Sequence, residues 1–441
     1  MTTKHTRKPL KSWEGINFVT DPTYGDNGKG KVVDCLAKRA EMVIRTNGGA
    51  NAGHTVTNEF GEFKFHLMPS GIFNPQAINV LSDTVVVDPL ILAEEIIALK
   101  KAKFAVSKKN LLIAKNAHLV MPWHKMRDNL RETQRGKGKV GTTGRGIGPT
   151  YADRTERTGL RVGSLLEKDF KLQFSKELDR QRKFIRSIMG TEAEIDLDEK
   201  NILKELLVSK EIIGEMITDV MPIISDYYHE GKRILGEAGQ GVMLDIDRGG
   251  YPFVTSSHPG IAGFNLATAI HPRDMARVIG VTKAYATRVG EGPMATELQD
   301  KIGEKIREVG HEYGATTGRP RRCGWLDIPI LRYGIQAGGI DTLALTKLDI
   351  FDDFSEINIC VGYTVEGKKY DILPTADSVF LEKAKPIYKT ISGWKKPTTN
   401  VRSFADLPLK AQQYIKTLET LTQVAIELVS VGPERKATMY R

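Results

Sequence analysis

Cysteine is scarce and scattered. Cys35, Cys323 and Cys360 are the whole complement of a 441-residue chain. An odd number with no pair at metal-ligand spacing excludes a disulfide framework and a zinc module, and fits a reducing, cytoplasmic setting. No apolar run approaches the roughly 18 residues that a bilayer-crossing helix needs. Residues 1–14, MTTKHTRKPLKSWE, are basic but lack the apolar stretch of a secretory signal, so they read as a flexible basic arm before one large domain over residues 15–441. Aromatics are only 7% and never interleave with basic residues, so the formal charge of +10 does not read as a nucleic-acid surface. It suits a cleft for small anions. Pro/Ser-rich linkers and internal repeats are also missing.

What is present is an α/β pattern. Residues 15–20 read as a short buried strand, followed by a Gly-rich turn at 25–30 and an amphipathic helix over about 32–40. Residues 42–46 read as the next strand, before a second Gly-rich turn, GGANAGHT. This β–turn–α–β opening predicts a mostly parallel central sheet. Further strands are predicted at 78–87, 111–115, 234–236, 278–285, 343–346 and 357–363. About three helices are expected between 165 and 230, broken near Gly190, and another near 409–420. Residues 136–149 are too Gly-rich for a regular element and read as a mobile loop.

Three segments carry chemistry. Gly25-Asp26-Asn27-Gly28-Lys29-Gly30-Lys31 follows a strand and fits G-x-x-x-x-G-K, in which glycines let backbone N–H groups converge on phosphate at a helix N-terminus. The next residue is Val32, where an ordinary phosphate loop has Ser or Thr for magnesium. Asp26 could supply the missing hard oxygen, or serve as a base. Thr346-Lys347-Leu348-Asp349 resembles the N/T-K-x-D motif of guanine binders, whose carboxylate accepts from guanine N1–H and the 2-amino group. Residues 315–322, Ala-Thr-Thr-Gly-Arg-Pro-Arg-Arg, set three guanidinium forks beside hydroxyls, a donor set for a dicarboxylate or phosphate.

These segments belong to a longer series: GDNGKGK, NGGANAGHT, HLMPSGIF, GTTGRGIGPTYADR, LDIDRGGYPFVTSS, KAYATRVGEGP, EYGATTGRPRRCGWLD, TKLD and SVGP. Nine motifs in this order, from about Asn17 to the C-terminus, resemble the adenylosuccinate synthetases. The resemblance implies a single large domain and a two-step ligation. GTP phosphorylates the 6-oxygen of IMP, and the amine of L-aspartate then displaces phosphate, giving adenylosuccinate, GDP and phosphate. It implies Asp26 as base and His54 as acid. One Mg2+ per subunit would be held by Asp26 and the Gly53 carbonyl. IMP would be bound by Asp26, Lys29, Asn51, Thr143, Gln240, Thr255 and Arg319, with Arg157 reaching in from the second subunit of a homodimer. Aspartate would be held by Val289, Thr316, Thr317, Arg319 and Arg321. GTP would contact Gly25, Asn27, Gly28, Lys29, Gly30, Lys31, Gly53, His54, Thr55, Arg321, Lys347, Asp349, Ser430 and Gly432.

The sequence departs from the family's usual letters at Thr23, Tyr24 and Asn27, where Gln, Trp and Glu are common. Ser82-Asp83-Thr84 stands for Gly-Asn-Gly, Ala238-Gly239 for Gly-Ala, and Pro259-Gly260 for Thr-Thr. These changes surround the expected nucleotide site and leave the purine open. One alternative is a synthetase acting on another 6-oxopurine nucleotide such as dGMP, as in phage enzymes; that branch typically loses the aspartate kept here as Asp26. Another is a GTP-binding regulator without catalysis, although no D-x-x-G switch is evident and such a protein would not need the arginine cluster.

Overall fold

The computed structural model describes residues 9–189, 197–314 and 318–441. Ten strands form the central sheet: β1 (Ile16–Thr20), β2 (Met42–Arg45), β3 (Ile78–Leu81), β4 (Leu111–Ala114), β5 (Ile217–Thr218), β6 (Ile234–Glu237), β7 (Met275–Lys283), β8 (Thr342–Thr346), β9 (Ile426–Ser430) and β10 (Thr438–Tyr440). Their order is β10-β9-β8-β7-β1-β6-β2-β3-β4-β5. Only β10 is antiparallel to its neighbour; the other neighbouring pairs are parallel.

Alternation along the strands explains how both faces are buried. Val19, Val43, Leu235, Ile279, Val281, Ala344 and Leu428 face Val32, Val33 and Leu36 of the helix α1 (Lys29–Ala37). Phe18, Ile44 and Val278 belong to the larger cluster on the opposite side. A second, four-stranded sheet built around Glu356–Val365 packs beside helix Ile328–Gly338. Because β1, β2, β6, β7, β8 and β9 run parallel, their carboxyl ends share one edge, where open α/β sheets place ligand sites. That edge carries Thr20, Arg45, Glu237, Lys283, Thr346 and Ser430.

Several boundaries differ from expectation. The predicted 78–87 strand splits into β3 and the pair Val86–Val87, because Val85 N–H bonds back to the Ser82 carbonyl and Thr84 Oγ1 donates to Thr46 O at 2.6 Å. The Gly-rich loop ends sooner than expected: a helix begins at Ile147, with Gly146 as its N-cap at φ 73°. Glycine-rich composition hid that start. The three helices expected between 165 and 230 are Phe170–Met189, Glu199–Ile213 and Val220–His229; their expected break near Gly190 lies outside the described residues. The described end of the basic arm is packed, with Leu10 and Trp13 buried beside α1. Among the described residues no helix is long and apolar enough to cross a membrane.

Candidate active site

The loop between β1 and α1 is held open by backbone that only a few residues tolerate. Gly25 and Gly28 have φ of 89° and 91°, and Asp26 between them has φ of 58°. Gly30 must lack a side chain, since a Cβ there would lie 2.9 Å from His54 Cβ. Asn27 is buried, and its side-chain amide donates to Thr23 Oγ1 at 2.8 Å and to Val281 O at 3.4 Å. Two departures from the family pattern therefore touch each other. The amide at 27 donates to both oxygens, whereas a carboxylate there could only accept and would face the Val281 carbonyl.

His54 opens the hairpin His54–Asn58/Gly61–Phe65 and turns inward, 4% exposed. Its Nδ1 lies 2.5 Å from Oε1 of Glu237, which is fully buried at the end of β6, and its Nε2 lies 3.3 Å from Gly239 O. Ser70 supplies its backbone N–H and its hydroxyl to the same carboxylate, at 2.8 and 2.6 Å. Arg45 Nη1 approaches His54 Nδ1 at 3.2 Å. Burial and then Arg45 push the imidazole pKa down, while Glu237 pulls it up; the net direction is down. The Ala238-Gly239 inversion has a steric reason, because a Cβ at 239 would lie 3.0 Å from an Arg45 nitrogen.

Asn51, Gly53, Thr143, Gln240, Thr255 and Val289, all singled out from the sequence, line one cleft together with Asp26. Three of them form a chain: Gln240 Nε2 donates to Asn51 Oδ1 at 3.0 Å, and Asn51 Nδ2 to Thr255 Oγ1 at 3.4 Å. Asn47, which sequence reasoning missed, donates to Gln240 Oε1 at 3.0 Å and orients it from behind.

Arg321 reaches the mouth of the loop, with Nε 3.2 Å from Asp26 Oδ2 and Nη1 2.7 Å from Glu312 Oε2. Glu312 is fully buried and also accepts from Lys283 Nζ at 2.7 Å and the Tyr285 hydroxyl at 2.5 Å. Burial works against its charge, but Lys283 and Arg321 outweigh it and hold the carboxyl down at about 2. At the Thr346-Lys347-Leu348-Asp349 motif, Asp349 Oδ1 is shielded from solvent and has no hydrogen-bond partner among the described residues, and burial raises that carboxyl's pKa. Lys347 has φ of 59° and donates to Gly310 O at 2.8 Å. Lys31 Nζ is held by Ser430 Oγ and the Gly432 carbonyl; burial lowers its pKa to about 8.

Not every expected residue meets the cleft. Arg157 is exposed at the end of helix Ile147–Glu156, with φ of 67°, and does not line it. Arg319 is exposed, and Thr316 and Thr317 lie outside the described residues. Glu237, Glu312 and Lys283 were missed as site residues. The one available signal was a charged residue closing an apolar strand or adjoining a singled-out motif.

The adenylosuccinate synthetase family profile matches residues 18–439. The adenylosuccinate synthetase of Caldanaerobacter subterraneus subsp. tengcongensis is 44% identical over 96% of this chain and 98% of its own length. That of Halothermothrix orenii is 43% identical over 97% and 99%. The solved, fully ligated adenylosuccinate synthetase of Plasmodium falciparum superposes with a TM-score of 0.90 at 35% identity, covering 97% of this chain and 100% of that one. A cyanophage S-2L succinoaminodeoxyadenylate synthetase bound to dGMP and dATP has a TM-score of 0.59 at 19% identity, a likeness of fold alone. Matched by the family profile over residues 18–439 and more than 40% identical to adenylosuccinate synthetases over nearly its full length, the chain belongs to the adenylosuccinate synthetase family.

Proposed function

We propose that this protein joins L-aspartate to IMP at the expense of GTP, with the roles assigned as follows. IMP lies in the cleft lined by Asn51, Thr143, Gln240 and Thr255, and GTP lies along the loop of Gly25, Asn27, Gly28, Lys29, Gly30 and Lys31. The guanine meets Asp349 and Lys347, near Ser430 and Gly432. The observation that carries this reading is the shielded Asp349 Oδ1, without a partner among the described residues and so an acceptor for the guanine N1–H/N2–H edge, on the sheet edge that also presents Asp26 and His54.

In the first step Asp26 takes the N1 proton of IMP, so that O6 becomes nucleophilic and attacks the γ-phosphorus. The γ-phosphorus bond to the β-bridging oxygen breaks, giving GDP and 6-phosphoryl-IMP. His54, oriented by Glu237, hydrogen-bonds the transferring group and the leaving oxygen as charge moves. In the second step the aspartate amine attacks C6, phosphate leaves with the C6–O bond electrons, and the proton shed by the amine nitrogen passes to the departing phosphate. Arg319 and Arg321, with Thr316, Thr317 and Val289, hold the aspartate carboxylates and leave the amine free. The Asp26 carboxylate and the Gly53 carbonyl, both on the cleft, are hard oxygen donors and fit a magnesium ion. When bound, that ion neutralises charge on the phosphates. Arg157, exposed and away from its own cleft, is assigned to the IMP 5′-phosphate in a partner copy.

A substrate panel tests the assignment. Purified protein with magnesium and aspartate is given IMP, dIMP, GMP or dGMP, each with GTP or ATP. Turnover with IMP and GTP is expected. Preference for dGMP, or equal kcat/KM with ATP and GTP, overturns the reading. The dGMP-directed alternative is not favoured, because the relatives at 43–44% identity carry the adenylosuccinate synthetase name.

A further inference from the structure

The Gly-rich segment between the helices Pro122–Arg135 and Ile147–Glu156 forms one wall of the cleft through Val140, Gly141, Thr142 and Thr143. It has no regular structure over residues 139–146, yet it is tied at both ends. Glu132 Oε2 accepts the backbone N–H of Gly141 at 2.8 Å and of Thr142 at 3.3 Å, and Oε1 accepts that of Val140 at 3.3 Å. Arg135 Nη1 donates to the same Oε1 at 3.0 Å. One turn earlier on the helix, Asp128 Oδ2 accepts from Gly146 N–H at 3.0 Å. Asp128 and Glu132 are four residues apart, so they stand on one face of the helix and reach the two ends of the same loop.

The loop's backbone suits this grip. Gly141, Gly144 and Gly146 have φ of 78°, 65° and 73°, which lets consecutive N–H groups converge on a single anion. A Cβ on Gly141 would lie 3.1 Å from the backbone of both Gly290 and Glu291, so the tied loop also lies against the segment that leads from Val289. Burial works against the Glu132 charge, but the Gly141 N–H, Arg135 and the other loop amides prevail and keep its carboxyl below the usual range. Thr143, assigned to IMP, lies between the two anchors.

We propose that Glu132 is a positioning residue for the purine nucleotide: its carboxylate, gripped by three consecutive backbone N–H groups, sets the loop against the cleft so that Thr143 faces the ligand, with Asp128 as the second anchor. The inference rests on the cleft being the IMP site, but the anchoring can be tested without it. Glu132→Ala and Glu132→Gln are made in the full chain, and hydrogen exchange of residues 136–146 is followed in the unliganded protein beside steady-state kinetics. Glu132→Ala is expected to speed exchange at Val140, Gly141 and Thr142. KM for IMP should rise about tenfold, the loss of charge-assisted hydrogen bonds, with KM for GTP and aspartate changed less than about twofold. Glu132→Gln, which keeps one acceptor oxygen, should fall between the two and covers the case in which the alanine variant does not fold. Unchanged exchange overturns the anchoring. Faster exchange with unchanged KM for IMP, or an equal rise in all three KM values, overturns the positioning role. A wild type that ignores IMP refutes the substrate reading instead, and leaves the exchange result to decide whether Glu132 holds the loop.

Discussion

His54 sits between a carboxylate that favours its protonated form and a guanidinium that opposes it. Both touch the ring at Nδ1, Glu237 at 2.5 Å and Arg45 Nη1 at 3.2 Å, so the carboxylate makes the closer contact. Glu237→Gln keeps the shape and removes the charge. Because Glu237 raises the His54 pKa against burial and Arg45, its loss should move the imidazole titration to still lower pH. The expected result is a kcat lowered by about 10²–10⁴, the range of a lost acid–base contribution, with KM for GTP little changed. Initial rates and imidazole NMR titration check it; a titration that moves upward would sink the pairing. Glu312 acts on a different residue. Its folded pKa, about 2, lies below the ordinary 4.5. The stability it contributes is therefore complete above about 4.5 and is lost as pH falls toward about 2. Glu312→Gln should cost about 3–5 kcal/mol at neutral pH, because Lys283 is left buried without its counter-ion and Arg321 keeps only Asp26. Urea titrations of both proteins between pH 7 and pH 3 should show a flatter acid loss in the variant.

At the scale of elements, the β1–α1 loop shows how a departure from a family pattern can be internally consistent. Asn27 donates to Thr23 and to the β7 backbone at Val281, and its own carbonyl accepts from Thr346 Oγ1 at 2.7 Å. Restoring Glu at 27 alone would bury a carboxylate facing a carbonyl oxygen. Asn27→Glu should cost about 1–3 kcal/mol, and adding Thr23→Gln should recover part of it, a coupling measurable by a double-mutant cycle in chemical denaturation. Strictly additive losses would show that the two positions changed independently. The phosphate-loop strand, turn and helix were legible in the sequence because their signals are contiguous: an apolar run, glycines at fixed offsets, then helical spacing. The helix at Ile147 was not, because five glycines over residues 136–146 precede it and tertiary ties from Asp128 and Glu132 hold the loop that delivers it.

At the scale of the whole molecule, Arg157 is the residue whose assigned role no single copy of the chain accounts for. If each subunit lends it to its partner, mixing Arg157→Leu with Asp26→Asn protein should regain activity in hybrid dimers. The site with intact Asp26 then receives Arg157 from the Asp26→Asn chain. Activity assays on mixtures in which subunit exchange has been shown by mass measurement check this; exchange without regained activity refutes the lending. The sequence by itself determined the family, the parallel α/β class and the local devices: the Gly-rich loop, the guanine motif and the arginine cluster are each written in a few adjacent residues whose chemistry does not depend on distant neighbours. The tertiary structure decided the partnerships. His54 and Glu237 are 183 positions apart, and Arg321 and Asp26 are 295 apart. Such pairs meet because six parallel strands end at one edge, and no local pattern records which strand lies beside which.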